Sequence, residues 1–141
     1  MPDVLASVRY LVEDVDTSAR FYTEHLGFRV ALDARPTLVI VERVALRLLL
    51  NGPDSTARQP TPCGVPTAGG WNRIQIVVDD LDEVVRRLRA AGVVFRTAVL
   101  RGRGGSQVLV DDPSGNPVEI FQPGSTTGST TGSTTGSTTG S

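Results

Sequence analysis

The stretch Ser7-Val8-Arg9-Tyr10-Leu11-Val12-Glu13-Asp14 decides the architecture, because the chain says it twice. Its side chains alternate as in a half-buried strand, and the acidic pair ends it where a helix can start, with Asp14 as the expected N-cap. Val15, Ser18, Ala19, Tyr22, His25 and Leu26 then fall on one face of a helix, and Gly27 supplies a left-handed stop. The phrase returns at an offset of 66 (residue 7 to residue 73) as Arg73-Ile74-Gln75-Ile76-Val77-Val78-Asp79-Asp80. Leu81, Val84, Val85, Leu88 and Ala91 follow on one helical face, with a stop near Gly92. The chain is an internal repeat.

Each helix is followed by three β-rich stretches. These are Phe28 to Asp33, Leu38 to Val41 and Ala45 to Asn51 in the first unit, and Val94 to Val99, Ser106 to Val110 and Val118 to Gln122 in the second. Both units read βαβββ. Asp112-Pro113-Ser114-Gly115-Asn116 is a hairpin turn, since proline and glycine set backbone angles that strand residues avoid. The organisation read from this is one domain over 1–123, with module one at 4–51, an irregular linker at 52–70 and module two at 71–122. The linker carries four prolines and four glycines. From residue 124 to 141 the chain repeats GSTT without a side chain that could join a core, so disorder is expected there.

Bulk properties narrow the function classes. A chain of 141 residues with a formal net charge of -1 is about one globular domain without an electrostatic footprint for nucleic acid. No stretch approaches the roughly 20 apolar residues of a membrane span, and the N-terminus lacks a signal-peptide pattern, which makes the cytoplasm the expected location. Cys63, the single cysteine, has no partner for an internal disulfide and sits in a proline- and glycine-rich loop, where an inert thiol is expected.

Three landmarks now carry a resemblance. Val12-Glu13-Asp14 through Phe21-Tyr22 and Leu26-Gly27-Phe28, Val78-Asp79-Asp80-Leu81-Asp82 through Ala90-Ala91-Gly92, and Asp112-Pro113-Ser114-Gly115-Asn116-Pro117-Val118-Glu119 together resemble the vicinal oxygen chelate superfamily, which includes glyoxalases, bleomycin-resistance proteins and extradiol dioxygenases. The resemblance covers nearly the whole chain before the GSTT repeat. It implies an α+β fold in which two βαβββ modules curl a mixed sheet around a cleft, often completed by a second subunit.

Strand alternation sorts the side chains. If Val8, Tyr10, Val12, Ile74, Ile76 and Val78 pack on the helices, then Ser7, Arg9, Arg73 and Gln75 face the other way. On the closing strands Leu46, Leu48, Val118 and Ile120 take the helix side, which leaves Arg47, Leu49, Glu119 and Phe121 facing inward. In metal-dependent members the ligands sit on the first and last strands, and motif matching puts those places at Ser7, Arg47, Arg73 and Glu119. An arginine is a cation with no lone pair to offer, so only Glu119 has the chemistry of a ligand, and neither metal nor cofactor is expected. The sole histidine, His25, ends the first helix and reads as a surface or capping residue.

In place of an ion, convergence of Arg9, Arg47 and Arg73 on Glu119 would leave an excess of positive charge. One arginine pairs with Glu119, and the others are free to grip a carboxylate, phosphate or enolate. Ser7 with Arg73, and Arg47 with Glu119, stand at pseudo-equivalent places in the two modules. Trp71, Phe95 and Phe121 are available as apolar or stacking walls; Tyr10 belongs by parity to the core. The competing reading of these arginines is a solvated sheet face with a structural ion pair.

Other motifs are weaker. Gly102-Arg103-Gly104-Gly105 precedes a strand rather than a helix and reads as a loop at the cleft mouth rather than a phosphate cradle. Asp79-Asp80 and Asp111-Asp112 are explained by capping and turn formation. Arg86-Arg87-Leu88-Arg89 is the wet face of the second helix. Three functions follow: a homodimeric protein sequestering an antibiotic or other natural product; a metal-independent isomerase or lyase with Glu119 as base; and a metal-dependent glyoxalase or dioxygenase, which needs ligands from outside the matched places. A carboxylate gripped by a guanidinium is a weak base, which favours binding over catalysis.

Overall fold

A computed structural model describes residues 2–124. The first module runs β1 (Ser7–Leu11), α1 (Val15–His25), β2 (Arg29–Ala34), β3 (Leu38–Arg43) and β4 (Leu46–Asn51). The second runs β5 (Ile74–Val77), α2 (Leu81–Ala90), β6 (Val94–Phe95), β7 (Leu100–Arg101), β8 (Gly105–Asp111) and β9 (Pro117–Pro123). The GSTT repeat from residue 125 onward, expected to be disordered, lies outside the described residues.

Both helices start from an acidic residue three places past the end of the preceding strand. Asp14 accepts from the backbone N–H groups of Asp16 and Thr17, and Asp80 accepts from that of Glu83, so each carboxylate satisfies orphan donors of the first turn. The helix must then cross its sheet, because each module pairs its first strand in parallel with its last. The strand orders are β1-β4-β3-β2 and β5-β9-β8-β6, with β7 also on β8. Parallel pairing joins β1 to β4 and β5 to β9, and the remaining pairs are antiparallel.

Parity holds along these strands. Tyr10, Val12, Leu48, Leu50, Ile74, Ile76, Val118 and Ile120 are buried in one core with Val15, Ala19, Tyr22, Leu81 and Leu88 of the helices. The apolar stripe of α1 is wider than its periodicity implied, because Phe21 is buried as well and meets Tyr22 edge to face. His25 is half-buried, with its ring 5.6 Å from that of Phe21.

The two modules are stitched together by polar groups. Tyr10 Oη donates to Pro117 O and accepts from Ile74 N, both at 3.0 Å. Tyr22 Oη donates to Asp112 Oδ2 at 2.8 Å, and Asn116 Nδ2 donates to Leu11 O at 2.8 Å. Asp112 is therefore more than a turn residue: burial raises its pKa, opposed by N–H donors from Asn116 and Ser114 and by the Tyr22 hydroxyl.

One predicted strand is broken. The strand expected from Val94 to Val99 is cut short after β6, and β7 lies beyond it; between them the Thr97 hydroxyl accepts from Leu109 N, a bond a strand backbone would have made. Arg96 beside it turns its guanidinium to Asp111, Gly70 O and Gly115 O. The linker is irregular, as expected, with one 3₁₀ turn at Thr56–Arg58; Arg58 ties it to Val12 O, Glu13 and Pro66 O.

Candidate functional site

The inner face of the second sheet carries a compact polar group. Glu119, in the middle of β9, lies between Gln75 of β5 and Leu109 of β8 in register. Those neighbours leave its side chain 10% exposed, so the carboxylate must be satisfied by protein donors. Arg73, just before β5, donates from Nε at 3.1 Å and from an Nη at 3.0 Å, both to Oε1. Gln75 Nε2 donates to Oε2 at 2.7 Å. Beside this group Val77, Phe121, Gln107 and Leu100 form the next row across the sheet.

The first sheet is built differently. Arg47 turns to Glu42 of β3, with Nε 3.3 Å from Oε2, but the N–H is not aimed at the oxygen and the pair makes no hydrogen bond. Arg9 donates to Asn51 Oδ1 at 2.9 Å. Ser7 is exposed opposite Arg47. Arg9, Leu49, Ile40 and Leu32 lie in one row, so the middle of this face is apolar apart from its edge.

Of the residues expected to converge, the fold brings Arg73, Gln75 and Glu119 together, while Arg9 and Arg47 take partners within their own module. Sequence reasoning missed those partners, Glu42 and Asn51. Alternation along Leu38, Ile40 and Glu42 would have placed Glu42 on the inner face.

The pseudo-equivalence of Arg47 with Glu119 is corrected. Each first strand ends on a matching backbone bond, Val12 N to Asn51 O at 2.9 Å and Val78 N to Phe121 O at 2.8 Å. Counting back from these bonds, Arg9 matches Gln75, but Leu49 matches Glu119 and Arg47 matches Pro117. A strand pattern of period two gives the correct face but cannot distinguish a register from one shifted by two residues.

The family model of the Glyoxalase/Bleomycin resistance protein/Dioxygenase superfamily matches residues 4–120. The chain belongs to that superfamily. Among solved structures it is similar to a superfamily member from Sphaerobacter thermophilus, with 24% identity, 86% of this chain and 98% of the other covered, and a TM-score of 0.68. It is similar to lactoylglutathione lyase from Agrobacterium tumefaciens at 24% identity, covering 86% and 94%, with a TM-score of 0.65. The fosfomycin resistance protein FosX from Listeria monocytogenes aligns at 16% identity over 88% and 96%, with a TM-score of 0.67. No curated protein sequence matches. At these identities the structural likenesses establish the fold.

For this superfamily member, the residues at the places where metal-dependent relatives carry ligands do not fit a divalent ion. Arg73, Arg47 and Leu49, the register counterpart of Glu119, all lack a lone pair to offer, and the two arginines lie against carboxylates, Glu119 at 3.0 Å and Glu42 at 3.3 Å. Among the described residues no three His, Cys, Asp or Glu side chains gather into a possible metal site.

The aromatic walls divide. Phe121 is half-buried in the row beside Glu119. Trp71 is 68% exposed, with the Arg96 guanidinium 4.7 Å from its ring centroid. Phe95 packs against the core under Arg89, so its expected place on the cleft wall is corrected. Gly102 to Gly105 form the tight β7–β8 hairpin turn, Gly102 N bonding Gly105 O at 2.8 Å. Among the described residues no helix is long and apolar enough to cross a membrane.

Proposed function

We propose that this superfamily member binds a small anionic or aromatic molecule against its inner sheet faces without a metal, sequestering an antibiotic or other natural product as a homodimer. The observation that carries this reading is the Arg73–Gln75–Glu119 group: a guanidinium fixed where metal-dependent relatives hold an ion. Arg73, Arg9 and Arg47 all keep N–H groups free of protein hydrogen bonds among the described residues, so an anion has donors to meet. Phe121 and Val77 supply an apolar flank. FosX, a fosfomycin resistance protein, has the same fold.

Dimerisation is supported by the apolar groups that the inner faces leave uncovered. Leu32, Val77 and Leu100 are 45%, 48% and 53% exposed. Such a face, with unpaired strand edges, gains from being covered by a second copy.

The enzyme reading, with Glu119 as base of an isomerase or lyase, has less support. Three protein hydrogen bonds already occupy both oxygens of the carboxylate, which leaves it poorly placed to reach a ligand proton. Thermal unfolding with benzoate and phenyl phosphate tests the proposal. A ligand at 100 times its Kd adds about 2.7 kcal/mol, and Arg73→Leu is expected to remove the gain. Undiminished stabilisation of Arg73→Leu would overturn the anion grip, and stoichiometric metal in the purified protein would overturn the metal-free reading.

A further inference from the structure

We infer that Gln75 determines specificity, reading a hydrogen-bond donor on the ligand beside the anionic group that Arg73 holds. This rests on the proposed anion-binding role and narrows its substrate class to anions with a hydroxyl or amine next to the charged group and an apolar substituent.

Glu119 sets the orientation. An ionised carboxylate only accepts, so the Gln75 carboxamide must turn its NH₂ toward Glu119 Oε2, which it meets at 2.7 Å. The carboxamide is planar, so its carbonyl oxygen is then directed away from Glu119. That oxygen accepts from no group among the described residues, and Gln75 is exposed on the inner face. Because Arg73 and Gln75 bond the same carboxylate, they are held side by side. Arg73 and the inner face of β5 therefore present in order a cationic donor at Arg73, a neutral acceptor at Gln75 and an apolar surface at Val77, with Phe121 opposite Val77. A 2-hydroxy or 2-amino acid with an apolar group presents the complementary series. A lone carboxylate would leave the Gln75 carbonyl to water, and a site that hydrogen-bonds a ligand hydroxyl discriminates against the analogue lacking it.

Three probes separate the possibilities, measured by titration calorimetry on the full chain: mandelate, phenylacetate, which lacks the hydroxyl, and α-methoxyphenylacetate (O-methylmandelate), which keeps the oxygen but cannot donate. Mandelate is expected to bind roughly fivefold or more tightly than either of the others, in line with one hydrogen bond. In Gln75→Met the ratio of mandelate to phenylacetate affinity is expected to fall to about one, whatever the absolute affinities become. If α-methoxyphenylacetate matches mandelate, or if Gln75→Met keeps the preference, the inference is overturned while anion binding stands. If none of the three binds, the anion-binding reading falls and this inference with it. The wild-type comparison needs no variant, so a poorly folded Gln75→Met does not spoil the test.

Discussion

The two modules share one plan and treat the same inner positions in opposite ways. In module two the matched pair is Gln75 opposite Glu119, and the buried carboxylate gathers Arg73 and Gln75 around it. In module one the matched pair is Arg9 opposite Leu49, and with no carboxylate there Arg9 reaches along the sheet to Asn51, while Arg47 pairs with Glu42 nearer solvent. One substitution at a repeat position thus turns a polar site into an apolar floor, and the chemistry of the molecule lies mostly in its second half.

Removing the two carboxylates gives the largest contrast. Glu119→Ala strands Arg73 and Gln75 and is expected to cost about 3 kcal/mol in urea unfolding, the lower end for a buried pair because Arg73 is 31% exposed. Glu42→Ala, which frees an Arg47 that is 39% exposed, is expected to cost less than about 1 kcal/mol. Equal costs would erase the difference between the modules. Tyr10→Phe comes next. It leaves the Ile74 N–H and Pro117 carbonyl unpaired at the join, an expected loss of about 2 kcal/mol.

The two hairpin turns sharpen the comparison. Module two uses Gly115 at φ 84°, whereas module one places Val44, 94% exposed, at φ 53°, a region that β-branched residues avoid. Val44→Gly is expected to raise stability by about 0.5–1 kcal/mol, and Gly115→Val to lower it by more than about 1 kcal/mol.

The smallest effect is a slope. Burial raises the pKa of Asp112 from its ordinary value, so the unfolded chain loses that proton first as pH rises. Between the two pKa values the folded state binds more protons, and stability falls with rising pH. Relative to Asp112→Asn, the wild type is therefore expected to gain stability as the pH is lowered through this window. A difference independent of pH between about 3 and 7 would remove Asp112 as the titrating group at the module join.

Much of this was legible in the residues. The doubled phrase from Ser7 and from Arg73 fixed two strands, two helices and their caps, because strand and helix periods and N-cap chemistry are local properties. Parity sorted the core from the inner face for the same reason. Glu42, Asn51 and the broken strand near Arg96 were not legible, since they depend on which strand lies beside which and on side chains reaching across the fold.

By itself the amino-acid sequence determined the βαβββ repeat, the superfamily and the faces on which Arg9, Arg47, Arg73, Gln75 and Glu119 lie. Only the tertiary structure decided that Glu119 belongs to Arg73 and Gln75, and that its counterpart in module one is Leu49. A period-two pattern is unchanged by a slip of two residues, whereas hydrogen bonds between strands admit one register.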